Sequence, residues 1–200
     1  MICEIAHRNV LQGVLAARAV NELTRSNLCM RVPSVLVRHE VCLRFDEVAR
    51  SCENQPEKGG ILLGNYRGND LEIVDRTNPG PMDKGTLSSF VKVDPLHQST
   101  AHDLWSKTGG THTYVGEWHT HPFGLAEPSI TDSRTWASLA SKVTLPLIFV
   151  IAAPGHWVLF AVRPSRWRVN AARLSVVERG MTGLVFGVRD PTQIRIARPT

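Results

Sequence analysis

Apolar positions along the chain change period several times, and each change marks an element. "SVLVRHEVCL" (34–43) alternates and predicts a strand. In "FDEVARSCEN" (45–54), Phe45, Val48, Ala49 and Cys52 recur at helical spacing and predict a short helix. "GGILLGNYRG" (59–68) predicts a strand opened by two glycines, and "DLEIVDRTNPGP" (70–81) a strand ended by a turn at Asn78-Pro79-Gly80. "GTLSSFVKV" (85–93) predicts another strand. Asp94 then stands as N-cap before Pro95 at the first position of a helix reaching Lys107, which Gly109-Gly110 stops. "THTYVGEWHTH" (111–121) predicts a strand and Thr131 to Lys142 a helix. "LPLIFVIAA" and "WVLFAVRP" predict a hairpin of buried strands around Pro154-Gly155-His156.

The flanks are patterned less clearly. Asn9 to Arg25 predicts a helix, with Val10, Val14, Ala17 and Leu23 roughly on one stripe. Met30 just precedes the first strand and could be the true start of translation. Past Pro164 the pattern weakens, although "QIRIAR" (193–198) alternates like an edge strand. The expected class is α/β, a mixed or largely antiparallel central sheet flanked by helices. The expected organisation is an accessory segment over 1–33, a principal domain over 34–163 and a C-terminal extension over 164–200.

The 200 residues suffice for one well-filled core. No apolar run reaches the roughly 18–20 residues of a spanning helix, and no compact apolar block resembles a secretory signal. Cys3, Cys29, Cys42 and Cys52 contain no Cys-x-x-Cys pair and lie away from every histidine cluster. That argues against a disulfide framework or a thiolate zinc site, and for a reducing, cytoplasmic setting. The formal charge of +5 derives partly from scattered arginines in the last third. They lack interleaved aromatics, so they predict a solvated surface and not a nucleic-acid site.

The informative stretch is "GEWHTHPFGLAEPSITD" (116–132). Strand period two puts His119 and His121 on one face, where both imidazoles can reach one ion. Asp132 would add an oxygen from the first turn of the next helix. Two nitrogens and one oxygen leave a tetrahedral position open, the arrangement of catalytic and not structural zinc. The bland alternative is a satisfied surface pair of histidines followed by an ordinary helix start, with Ser129 as cap. Glu117 shares the histidines' face and is one candidate base, and Glu53 is a further nearby acid. Trp118 and Thr120 should face the other side, Trp118 in the core. His97, His102, His112 and His156 read as ordinary polar residues.

His119-x-His121, seven residues, then Ser129-x-x-Asp132 resembles the signature of the JAMM/MPN metalloproteases. Glu57-Lys58-Gly59-Gly60-Ile61-Leu62-Leu63-Gly64 is similar to that family's upstream glutamate and Gly-Gly strand. The likeness covers about 35–162 and implies an MPN, cytidine-deaminase-like domain. It implies that His119, His121 and Asp132 hold Zn2+, that Glu57 is the general base, and that Ser129 stabilises the oxyanion. It further implies cleavage of peptide or isopeptide bonds after the C-terminal glycine of a ubiquitin-like protein or its conjugate. Within the bacterial branch the chain most resembles the deconjugating peptidases of CBASS antiphage operons. The implied partner is then a conjugated cyclic-nucleotide synthase, with no membrane and no nucleic acid. Three alternatives stay open: a peptidase processing a sulfur-carrier protein, a RadC-like DNA-associated protein, and a non-catalytic MPN scaffold. Against RadC, its His-Asn-His-Pro-Ser-Gly is here His119-Thr120-His121-Pro122-Phe123-Gly124.

Overall fold

β-Branched and aliphatic residues crowd positions 147–153, and the strand they build there is buried on both faces. In the computed structural model, which describes residues 32–163, 169–188 and 193–196, this strand is β7 (Leu147–Ala153), buried at every position. Leu147, Phe149 and Ile151 enter one hydrophobic core, and Ile148 and Val150 the other. Around it lie β1 (Val35–Arg38), β2 (Gly59–Arg67), β3 (Asp70–Arg76), β6 (Thr113–Thr120), β8 (His156–Arg163), β9 (Val169–Gly180), β10 (Gly183–Gly187) and β11 (Gln193–Ile196). The order is β10-β1-β3-β2-β6-β7-β8-β9-β11. Because β10 pairs with both β1 and β9, hydrogen bonding runs round in a ring from β1 back to β1. The β1–β3 and β6–β7 pairs are parallel and the rest antiparallel.

Three helices accompany the strands among the described residues. α1 (His39–Ser51) packs on β1, β3, β7, β8 and β10, strands from widely separated parts of the ring, so the sheet curls about it. Val41, Cys42 and Phe45 carry that contact. α2 (Leu96–Lys107) and α3 (Ile130–Ala140) serve the other core, where Trp136 stacks on Phe149 with ring centroids 4.6 Å apart. The mixed sheet with flanking helices is as expected, but strands dominate the fold.

Two predicted strands are corrected. The segment 34–43 leaves the sheet at Arg38, and α1 starts at His39, well before the helix expected from Phe45. Val41, Cys42, Phe45 and Ala49 form one buried helical stripe, and His39 N donates to Thr182 O at 3.0 Å, ending the strand with a partner from far along the chain. The segment 85–93 is not a full strand. Only β4 (Lys84–Gly85) and β5 (Phe90–Val91) pair, as a minimal hairpin with mostly exposed residues between them. The hairpin at Pro154-Gly155, the helix after Asp94, its stop at Gly109-Gly110 and an edge strand at 193–196 are observed. Asp94 Oδ1 accepts from Leu96 N at 2.8 Å, as a capping side chain does. The helix expected over Asn9 to Arg25, with Cys3, Cys29 and Met30, lies outside the described residues. Residues 169–187, within the stretch set apart as 164–200, supply β9 and β10 of the ring.

Gly116 allows β6 to run beside β7. Its φ is +152°, and a Cβ there would lie 1.7 Å from Ile148 O. Gly116→Ala is therefore expected to cost at least about 2 kcal/mol, from backbone strain and overpacking together. Gly109→Ala, at φ +60° with open space around it, should cost only about 1 kcal/mol. Urea denaturation midpoints of the two variants check the contrast.

Candidate metal centre

Histidines at period two on β6 reach one point because β6 is clamped on both sides. Gly59 faces His119 in the antiparallel ladder with β2, and His119 faces Ile151 in the parallel ladder with β7. His121 N donates to Ala152 O at 2.8 Å, which carries the extended backbone one residue past β6. The ring centroids of His119 and His121 are 4.8 Å apart and their Nε2 atoms 3.0 Å apart. His121 Nδ1 lies 3.2 Å from Leu125 O, so its Nδ1–H donates to that carbonyl and its Nε2 faces inward.

The oxygen comes from α3. Ser129 Oγ accepts from Asp132 N at 3.1 Å, while Asp132 Oδ2 accepts from Ser129 N at 2.7 Å. This capping box starts the helix and also locks the carboxylate rotamer. Ser129 Oγ–H donates to Oδ2 at 2.6 Å as well. Asp132 Oδ1 then lies 3.1 Å from His119 Nε2, and Oδ2 lies 3.3 Å from His121 Nε2. The helix-start reading of Ser129-x-x-Asp132 is realised, and the capped carboxylate lies beside the two imidazoles.

Three electron-rich atoms converge on a small space that solvent can still reach. With the Nδ1 proton of His121 on Leu125 O, a neutral ring turns a bare lone pair toward a carboxylate oxygen, and only a proton or a cation relieves that contact. One ligand atom from each of His119, His121 and Asp132 fits within a 4.8 Å span. Ligands about 2.0–2.1 Å from a tetrahedral zinc lie about 3.3 Å from one another, close to the separations found here. The donor set therefore fits a zinc-like divalent ion.

Glu57 lies just ahead of β2. Lys58 N donates to Thr120 Oγ1 at 2.9 Å and Thr120 N to Lys58 O at 2.8 Å, which extends the β2–β6 register and sets Glu57 opposite His121. Directly opposed residues share a face, so Glu57 belongs to the imidazoles' side of the sheet. Burial raises its carboxyl above the ordinary range, the two imidazoles pull it down, and Asp132 raises it further. For Asp132, burial acts upward, but hydrogen bonds from His119, His121 and Ser129 prevail and hold it well below the usual range. Burial acts downward on His121, and the bond and charge of Asp132 outweigh it, raising its pKa.

The other candidates sort by their partners. Glu117 is half-buried, ion-paired with Lys92 and accepting from the Tyr114 hydroxyl at 3.3 Å, so its carboxylate is engaged beside the site. Glu53 is exposed, Trp118 is core, and Thr120 is buried and holds Lys58. His102 and His156 are exposed, but His97 is buried in a polar cluster around Asp83 that the sequence pattern did not reveal. Leu125 was also missed. It acts through its carbonyl, for which side-chain identity carries no signal.

A curled mixed sheet with a His-His-Asp donor set at the end of one strand and the start of the next helix defines a domain able to hold a divalent ion. The model of the family "Prokaryotic homologs of the JAB domain" matches residues 46–170, and the chain belongs to that family. A protein of Escherichia coli (strain TW11681) named CD-NTase/cGAS isopeptidase is 32% identical over 117 residues, 58% of this chain and 74% of that one. A protein of the same name from Vibrio cholerae serotype O1 is 33% identical over 106 residues, 52% of this chain and 66% of that one. A Sinorhizobium fredii protein named "Probable metalloprotease y4qB" is 27% identical over 109 residues, 51% of this chain and 66% of that one.

Linkage predicts how the metal-free site responds to pH. A depressed Asp132 contributes stability above its unfolded pKa of about 3.9, lost as pH falls through the folded value. A raised His121 contributes stability below its unfolded pKa of about 6.5, lost as pH rises through the folded value. The cluster should therefore stabilise the metal-free protein most between about pH 4 and 6.5. Thermal melts in chelator across this range should show the maximum, and Asp132→Asn should flatten it.

Proposed function

We propose that this protein is a zinc-dependent isopeptidase that cleaves after the C-terminal glycine of a ubiquitin-like protein or of a protein conjugated in the same way. One observation carries the reading: His119, His121 and Asp132 aim three ligand atoms at one point, and Glu57 stands on the same face across the β2–β6 ladder. The names of the relatives support it, since they describe isopeptidases and a metalloprotease.

His119 and His121 would hold the ion through Nε2 and Asp132 through a carboxylate oxygen. Bound zinc supplies Lewis acidity that lets water ionise near neutral pH. Glu57 takes the proton of the attacking water as its oxygen bonds to the glycine carbonyl carbon. As the C–N bond breaks, Glu57 returns that proton to the departing amine, leaving a glycine carboxylate and a free amine. Its raised pKa suits both halves of that exchange. Ser129 supplies a neutral hydroxyl donor to the oxyanion once it turns from Asp132 Oδ2. A substrate ending in glycine suits such a site, because an extended backbone without side chains can approach the ion closely.

The relatives' printed names point to a conjugate of a CD-NTase, a cyclic-nucleotide synthase, as substrate. On this reading the protein reverses such conjugation in the bacterial cytoplasm as part of antiphage defence. Incubating the zinc-loaded protein with small-protein C-terminal fusions, among them a CD-NTase fusion, and reading intact masses tests it. Release of the fusion partner directly after the terminal residue supports the reading, and an uncleaved panel sinks it.

Variants divide the roles. Glu57→Gln should abolish turnover with one zinc still bound, whereas His119→Ala and Asp132→Ala should lose the metal by elemental analysis. Ser129→Ala should slow turnover by roughly 10²–10³. It should also lower metal-free stability by about 1 kcal/mol, because the same oxygen caps α3.

A further inference from the structure

The 77–95 segment folds back over the head of β2, carries the β4–β5 hairpin and leads into α2, whose second residue is His97. It touches Glu57 directly: Glu57 N donates to Thr86 O at 2.7 Å, and a Cβ on Gly85 would lie 2.1 Å from Glu57 O. Phe90 of β5 lies over Gly59, where a Cβ would come within 2.8 Å of the ring. The backbone that presents Glu57 is thus held by Thr120 on one side and by this hairpin on the other.

The hairpin in turn is closed at its base by one carboxylate. Asp83 Oδ1 accepts from Val93 N at 2.8 Å and Asp94 N at 2.9 Å, and Oδ2 accepts from Gly80 N at 2.7 Å. Its fourth partner is His97 Nε2, 2.8 Å from Oδ2. On its other side, His97 Nδ1 lies 2.6 Å from Thr77 Oγ1, which accepts from Ile61 N of β2 at 3.0 Å. One assignment satisfies every atom: Ile61 N–H to Thr77 Oγ, Thr77 Oγ–H to His97 Nδ1, and His97 Nε2–H to Asp83. Thr77 is tied further by its carbonyl, which accepts from Trp118 Nε1 at 2.9 Å, on the residue beside His119. Thr77 and His97 are both about 4% exposed, so the chain of bonds is dry.

We propose that His97 is a positioning residue for Glu57, joining β2 and β6, which carry the site, to the hairpin that grips the Glu57 backbone. A neutral imidazole suits the role because it offers one acceptor and one donor on opposite sides of a rigid ring. Leucine at 97 would leave the Thr77 hydroxyl without its acceptor and Asp83 without one donor, loosening the base of the hairpin. Glutamine could replace both bonds, accepting through Oε1 and donating through Nε2.

The catalytic consequence rests on Glu57 being the base, so the experiment reads position and turnover separately. Hydrogen exchange is followed in zinc-loaded wild type, His97→Leu and His97→Gln, together with zinc content, kcat and KM on a cleavable fusion. For His97→Leu, exchange at the Glu57 amide and across 84–93 should rise at least about tenfold, with α3 and β7 unchanged and zinc retained. Its kcat should fall about tenfold or more at similar KM, and His97→Gln should recover most of both losses. Unchanged exchange at Glu57, or a rise shared equally by α3 and β7, overturns the proposal. A glutamine variant no better than leucine does the same. If Glu57→Gln proves fully active, the base assignment falls, while the exchange measurement still decides whether His97 fixes Glu57.

Discussion

Two imidazole nitrogens and a carboxylate oxygen do not collect at about 3 Å spontaneously, since each presents electron density to the others. Here the convergence is imposed by backbone hydrogen bonding. β6 is paired on both edges, so neither histidine can retreat by shifting its strand. Asp132 cannot turn away without surrendering the capping bond from Ser129 N. The scaffold holds the donors in place, so an ion bound there would meet a site already arranged, and little binding energy would be spent on ordering it.

The same economy explains the double glycine after Glu57. A Cβ on Gly59 would strike Trp118 O and the Phe90 ring, and one on Gly60 would come within 2.7 Å of Trp118 Nε1 and the Thr77 hydroxyl oxygen. The missing side chains let a hairpin and a buried polar chain close over the strand. That closure is what places the acid, and the glycines contribute through absent volume, since neither has a positive φ.

Much of this was legible along the chain. His119 and His121 follow from period two, and Ser129 and Asp132 from a helix-start pattern, because each pair is local. The apolar run of β7 announces a strand buried on both faces. Two local signals misled. At 34–43 the alternation of Val35 and Val37 ran into Val41 and Cys42, which fit a strand or a helix equally until Thr182 ended the strand. At 85–93 apolar Leu87, Phe90 and Val91 suggested a strand, yet they lie in and around a small hairpin held by an aspartate's hydrogen bonds.

The sequence by itself determined the donor types, their order and the local faces they share, since side-chain chemistry and short-range backbone periodicity are properties of neighbouring residues. Only the tertiary structure decided that Glu57 stands opposite His121, that Glu117 is taken by Lys92, and that His97 belongs to a buried chain of bonds. Those outcomes depend on strand register and on contacts between residues 14 to 62 positions apart, and no periodicity within one segment encodes which distant segment it will meet.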